Sequence, residues 1–482
     1  MQNPSDFPKL KSSSDKTYTK LELFLQASQM TTVDWFDLRE AIAANTTIHE
    51  VHLRVEKEFA ETFPMGQLLE LCQAIGKLKQ LKWLFVGQMS GPVTVFSQLP
   101  ISALTAMLTS AGDKLLWWYV RGCIITHVYK GSDEEKEDKS GVLDVSQHRE
   151  KRTSGKEKKK KDSKDKKKKK DKKKSSKKDG TKSSMDISEK QNPATVAKVT
   201  PEDKLNQKQS AAKRALEKLG DSIITLKKLK KISIMGHFDE VMQGCQMDPI
   251  MEGLSALEEL ELVVVAITRH DGRILVDPSA LGSFFEASHP KLKECSLLYM
   301  SLTDDHVEEM AGALSKHTAP HELTLQGDGK ASGETIGQLF RGTAIQKFLF
   351  QEFVMNTSSV VAMCIAMAHV YTLQELELSC PLLSIELLAL QQMIIANQGL
   401  ETLHLHLTAV DNESAPLDLV TSLLSNPKSK LSTIKFEASD KSEDTKVFRD
   451  TNVDDWKDVT DGIFKVEISH TIDTHIITFT KL

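Results

Sequence analysis

The chain has 482 residues, 40% of them hydrophobic and 27% charged, with a formal net charge of −4. That composition suffices for a large core or a long array, and no apolar run approaches the ~20 residues of a membrane-spanning helix. Met1 to Lys16 is polar and lacks the apolar centre of a signal peptide.

Six cysteines (Cys72, Cys123, Cys245, Cys295, Cys364, Cys380) are scattered, several at core-type positions. They read as reduced, buried small hydrophobes of an intracellular protein, cytoplasmic or nuclear. The sequons at Asn45, Asn356 and Asn412 are then chance matches.

Residues 1–17 are expected to be disordered. From residue 18 an apolar triplet spaced Leu-x-x-Leu-x-Leu alternates with stretches of helical period. The triplet opens at Tyr18/Leu21/Leu23, and Asp34-Trp35-Phe36-Asp37-Leu38 begins the first helix. It returns at Ile48/Val51/Leu53, Leu81/Leu84/Val86 and Leu115/Trp118/Val120, with Leu68, Cys72 and Ile75 on one helical face between them. Residues 18–130 form a first block of repeats.

Residues 131–203 interrupt the pattern. After the acidic cluster Asp133-Glu134-Glu135-Lys136-Glu137-Asp138, the stretch Lys156 to Lys178 holds sixteen lysines and four acids, a net +12. Since the whole chain carries −4, the remainder carries −16. Such a segment buries too little apolar surface to offset its ordering entropy and is expected to be disordered. Three readings stay open. The runs Lys158, Lys159, Lys160, Lys161 and Lys166, Lys167, Lys168, Lys169, Lys170 suit an import receptor. They also suit non-specific, salt-sensitive contact with nucleic acid, although arginine and interleaved aromatics are absent from the run. The third reading is a solvated, self-repelling loop.

Residues 204–460 resume the repeats. Leu205, Ala212, Ala215, Leu216 and Leu219 restore helical spacing, and triplets follow at Leu229/Ile232/Ile234, Leu257/Leu260/Leu262, Leu292/Cys295/Leu297 and Pro320/Leu323/Leu325. More occur at Ile345/Phe348/Phe350, Leu373/Leu376/Leu378, Leu400/Leu403/Leu405, Leu431/Ile434/Phe436 and Ile463/Val466/Ile468. Helical faces are expected at Val307, Met310, Ala311 and Leu314, at Val361, Cys364, Ile365 and Ala368, and at Leu387, Leu390 and Ile394. Asn45, Asn397-Gln398-Gly399 and Asn426-Pro427 are turn signals. Residues 461–482 read as a capping hairpin, Phe464–Ile468 against Ile476–Phe479, over an otherwise open sheet edge.

A lone triplet is weak; its spacing carries the argument. From first apolar residue to first apolar residue the steps are 30, 33, 34, 114, 28, 35, 28, 25, 28, 27, 31 and 32. The long step leaves roughly 80 extra residues after one repeat of about 30 is subtracted. Because a helix returns the chain each time, neighbouring strands run parallel. With these triplets and a full helix per unit, the chain resembles leucine-rich repeat proteins of the ribonuclease-inhibitor-like superfamily. The Asn or Cys usual after the triplet is mostly missing. The resemblance implies an α/β fold, a right-handed solenoid or horseshoe of about 13 strand-helix units with a parallel inner sheet. It also implies protein–protein recognition on the concave face, without catalysis.

Residues between the triplet positions line that face, because strand side chains alternate. Trp83, Phe85, Trp117 and Tyr119 fall side by side there, bordered by Arg54 and Arg121, the composition of a partner-binding hot spot. Cover by the insertion is the alternative. Glu259, Glu261, Glu294, Glu322, Glu375 and Glu377 form an acidic stripe, read as steering of a basic partner or as ordinary solvated strand positions. His404 and His406, at i and i+2, suit a metal, but the sequence shows no third ligand, so no metal or other cofactor is expected.

Phosphate-loop, zinc-protease, Cys-x-x-Cys and nucleophile-elbow motifs are absent. The leading expectation is a non-enzymatic scaffold for a protein partner, away from membranes. Its rivals are a small-GTPase regulator resembling Ran GTPase-activating proteins, a ubiquitin-ligase substrate receptor, and a nucleic-acid-associated factor acting through the lysine run.

Overall fold

The computed structural model describes residues 19–29, 33–88, 96–127, 201–242, 244–268, 275–287, 289–317, 320–327, 331–351, 355–425, 428–451, 453–460, 462–471 and 473–482. The expectations for residues 1–17 and for the lysine runs within 131–203 lie outside them, as do Tyr18 and Asn426-Pro427. The chain divides into two units, residues 1–128 with 205–482, and residues 129–204. Of the second, only the opening turn of the helix Pro201–Ile224 is described.

The larger unit alternates strand and helix. Its strands are β1 (Lys20–Leu25), β2 (Glu50–Val55), β3 (Trp83–Gly87), β4 (Ser97–Pro100), β5 (Trp117–Thr126), β6 (Lys231–Phe238), β7 (Leu262–Thr268), β8 (Glu294–Met300), β9 (Glu322–Gly327), β10 (Lys347–Gln351), β11 (Glu375–Leu382), β12 (Thr402–Val410), β13 (Thr433–Ser439), β14 (Phe464–His470) and β15 (Thr474–Lys481). They form one open sheet of 15 strands in the order β1-β2-β3-β5-β6-β7-β8-β9-β10-β11-β12-β13-β15-β14, with β4 beside the distal half of β5. All pairings are parallel except β13–β15 and β15–β14, the closing antiparallel hairpin. β5 bonds directly to β6, so the long interval between them leaves the strand order unbroken.

Alternation sorts the side chains of β2 and β3. In β2 the buried residues are Val51, Leu53 and Val55, and in β3 they are Leu84 and Val86, while the side chains between them stay half-buried on the other face. The inward residues join the buried sides of the helices, such as Leu68, Cys72 and Ile75 of Met65–Lys77, in one continuous apolar core. Helices of successive units pack closely. A Cβ on Gly76 would lie 2.3 Å from the Met107 carbonyl oxygen in the helix Ile101–Ala111, so only glycine permits this approach. All six cysteines are buried and free, and burial pushes the thiols of Cys72, Cys123 and Cys364 up to about 12.

Three expectations need correction. The inward triplet of β7 is Leu260/Val263/Val265, and Leu262 is half-buried on the opposite face. Leu257 occupies the turn position three residues before the triplet, as buried Leu78 and Leu226 do before Leu81 and Leu229. The spacing Leu-x-x-Leu therefore fits two registers, and the valines at 263–265 favour a strand in either. The true register replaces steps of 28 and 35 with 31 and 32. Second, the helix Thr357–Met367 buries Val360, Met363, Cys364 and Met367, leaving Ile365 67% exposed. It is apolar all round, so its core face does not stand out by composition. Third, Ile463 and Ile468 are exposed, because β14 is the outermost strand of the hairpin and packs chiefly through Phe464.

Turn chemistry repeats at that pre-triplet position. The Asn397 amide donates to the Met367 and Val370 carbonyls at 2.8 Å each, and its carbonyl oxygen accepts from the Gly399 and Leu400 N–H groups. Asn45 accepts from the Thr47 and Ile48 N–H groups. His289 sits at the same place, its ring nitrogens facing the Leu257 and Phe284 carbonyls at 2.7 and 3.1 Å. The sequon asparagines Asn45, Asn356 and Asn412 each hold backbone N–H groups in such caps and turns.

Candidate functional site

Parallel strands in register carry their outward side chains in rows across the sheet. One row runs Glu50, Trp83, Trp117, Lys231. The next runs His52, Phe85, Tyr119, Ser233. A parallel ladder sets neighbouring side chains at about 4.8 Å, the spacing at which rings stack. Phe85 and Tyr119 are stacked with centroids 5.2 Å apart, and Trp83 and Trp117 lie at 5.5 Å. His52 and His49 extend the ladder, at 4.5 Å from Phe85 and 4.9 Å from Trp83. Lys231 places its ammonium 4.7 Å from the Trp117 ring centre.

All four aromatic residues are half-buried, and the alternative of cover by the insertion lies outside the described residues. Trp118, between Trp117 and Tyr119 in sequence, is fully buried in the core instead. Arg54 lies over Phe24 of β1 at 4.8 Å, and Arg121 pairs in register with Gly87, so both arginines border the distal end of the ladder. Burial, and then the nearby charge of Glu294, raise the Tyr119 hydroxyl above its ordinary value.

The acidic stripe comes apart. Glu259 and Glu261 precede β7 rather than lying within it. They form ion pairs with Lys291 at 2.5 Å and Lys230 at 3.0 Å. This displacement follows from the corrected register of β7. Glu294, Glu322 and Glu375 remain in one row, but Lys347 stands between Glu322 and Glu375 and pairs with Glu375 at 3.2 Å. Burial and the Glu322 charge raise the Glu294 carboxyl.

Glu377 belongs to a different constellation. In the β11–β12–β13 ladder, Glu377 faces His404, Ser379 faces His406, and His406 faces Glu437. Glu377 Oε2 lies 3.1 Å from His404 Nδ1, and its Oε1 lies 2.8 Å from His406 Nε2. On the far side, Glu437 Oε2 is 3.1 Å from His404 Nε2, and its Oε1 is 3.8 Å from His406 Nδ1. The Gln351 amide donates to Glu377, and Lys435 pairs with Glu437 at 3.2 Å. Burial alone would raise the Glu377 carboxyl, but the bonds from His404, His406 and Gln351 and the His404 charge together hold it far below the usual carboxylate range. Two imidazoles and a carboxylate offer ligand atoms all within 4.8 Å of one another. Sequence reasoning missed this cluster because its third member sits 27 residues before His404 and meets it only through the ladder. The repeat offset between β11 and β12 is the signal that pairs them.

A second feature escaped the sequence reading. In the helices Thr357–Met367 and Ser384–Ala396, Ile365, Ile385 and Leu388 are 67, 60 and 57% exposed, and Tyr371 in the connection before β11 is 60% exposed. The all-round apolar character of 384–396 is the cue that some of its apolar residues face outward.

No family model matches the chain, and a search of curated proteins finds no match. Among the described residues, no helix is long and apolar enough to cross a membrane.

Proposed function

We propose that the chain is a non-enzymatic, leucine-rich-repeat-like scaffold that binds a protein partner on the exposed face of its sheet. In this reading the array curves with that face concave. The carrying observation is the aromatic ladder Trp83, Trp117, Phe85 and Tyr119, half-exposed and bordered by Arg54, Arg121 and Lys231. Stacked rings are already ordered, so a partner gains their contact area with little further loss of side-chain entropy. Cationic groups at the rim favour a partner that presents acidic or carbonyl groups around an apolar centre.

The test is affinity capture from cells with quantitative mass spectrometry, comparing wild type, Trp117→Ala/Tyr119→Ala, and Thr324→Ala on a distant part of the same face. The reading expects a discrete set of partners lost at least tenfold in the double variant and retained by Thr324→Ala. Equal recovery by all three, with the double variant folded, contradicts it.

A further inference from the structure

We propose that Glu377, His404 and His406 form a binding site for a first-row divalent transition metal of the Zn2+ class. The three donors come from adjacent strands, and the two histidines sit at i and i+2 on one strand, so both rings stand on the same face of a rigid sheet. A tetrahedral ion with bonds of about 2.0–2.1 Å sets its ligand atoms roughly 3.3 Å apart. Glu377 lies 3.1 Å from His404 Nδ1 through Oε2 and 2.8 Å from His406 Nε2 through Oε1, and with one ligand atom from each residue the three lie within 4.8 Å of one another.

The surroundings give an independent argument. Metal-bound imidazoles commonly donate their remote N–H to a carboxylate, which fixes tautomer and ring orientation. Here Glu437 does so for one ring, 3.1 Å from His404 Nε2, while its other oxygen stands 3.8 Å from His406 Nδ1, beyond hydrogen-bond distance. Glu437 is itself held by Lys435, and Glu377 by Gln351. The site is sheltered: the His404 side chain is 11% exposed and the Glu377 and Glu437 side chains 20%. The donor set selects the metal class. Imidazole nitrogen suits zinc and its neighbours, whereas Ca2+ and Mg2+ require shells of oxygen. Three protein ligands leave one position open to water or to a donor from a bound molecule.

The experiment uses the full chain, purified without a polyhistidine tag, stripped with a chelator and dialysed. Zn2+ is titrated in competition with a chromogenic chelator, and Co2+ serves as a spectroscopic probe. The expected result is one ion per chain, with the intense visible bands of tetrahedral Co2+, displaced by Zn2+. His404→Ala and His406→Ala should each weaken binding more than about 100-fold, Glu437→Gln by roughly 10- to 100-fold, and His470→Ala not at all. If an alanine variant does not fold, Glu377→Gln, which keeps the shape of the side chain, reads the same loss. Failure of the wild type to take up one ion, or uptake that all these substitutions leave unchanged, overturns the proposal and leaves a hydrogen-bonded histidine–glutamate network.

Discussion

Neighbouring side chains in β5 do opposite jobs. Trp118 is the largest fully buried side chain, whereas Trp117 stands half-exposed beside Trp83 and Lys231. Trp118→Ala should cost about 3–5 kcal/mol in urea denaturation, and Trp117→Ala about 1–2 kcal/mol from lost stacking and area; equal losses would contradict the assigned alternation. Asn397 is buried and its amide holds the Met367 and Val370 carbonyls and the Gly399 and Leu400 N–H groups, so Asn397→Ala deprives one carbonyl and two N–H groups of this partner, while the Met367 carbonyl keeps the Val370 N–H. We expect a loss of roughly 2–4 kcal/mol, read as a shift of the urea midpoint. The aromatic residues were legible in the sequence because period-2 alternation alone puts them on the outward face. The role of Asn397 was legible only as a turn signal, since its partners lie in the preceding unit.

Between turn and strand, β7 shows where sequence patterning is ambiguous. Leu257, Leu260 and Leu262 imitate a triplet, and only the tertiary placement of Val263 and Val265 resolves it. Val263→Ser should lower stability by about 2 kcal/mol, whereas Leu262→Ser should change it by less than about 1 kcal/mol; the reverse order would restore the rejected register. His289 fills the turn position that Asn397 fills elsewhere. Burial lowers its ring below the ordinary 6.5, the Leu257 and Phe284 carbonyls oppose this, and His317 adds to it. Because the folded value lies below the unfolded one, the stability linked to His289 is complete above about pH 6.5 and is lost as pH falls through the folded value. His289→Asn should match wild-type stability at pH 7.5 and lose less on acidification, measured by urea midpoints from pH 5 to 7.5. An equal decline would assign the pH dependence elsewhere. The outermost strands carry charge, Lys20 and Glu22 on β1 and Lys465 and Glu467 on β14, which discourages further strand pairing.

For the molecule as a whole, the fixed spacing of apolar residues announced an array of parallel strands, because each unit buries its triplet against its own helix and its neighbours. The site was less legible. The aromatic ladder needed only alternation and unit order. The acidic stripe failed once β7 moved by three residues and Lys347 proved to interrupt it. The Glu377–His404–His406 cluster required knowing which residues of β11 and β12 lie opposite each other. The aromatic face is the proposed landing surface for a protein partner. A photocrosslinking residue at Phe85, compared with one at Glu308 in the helix Asp304–Leu314 on the opposite side of the sheet, tests it in intact cells. A discrete crosslinked species is expected from position 85 and none of comparable yield from position 308. Crosslinking from position 308 alone would contradict it.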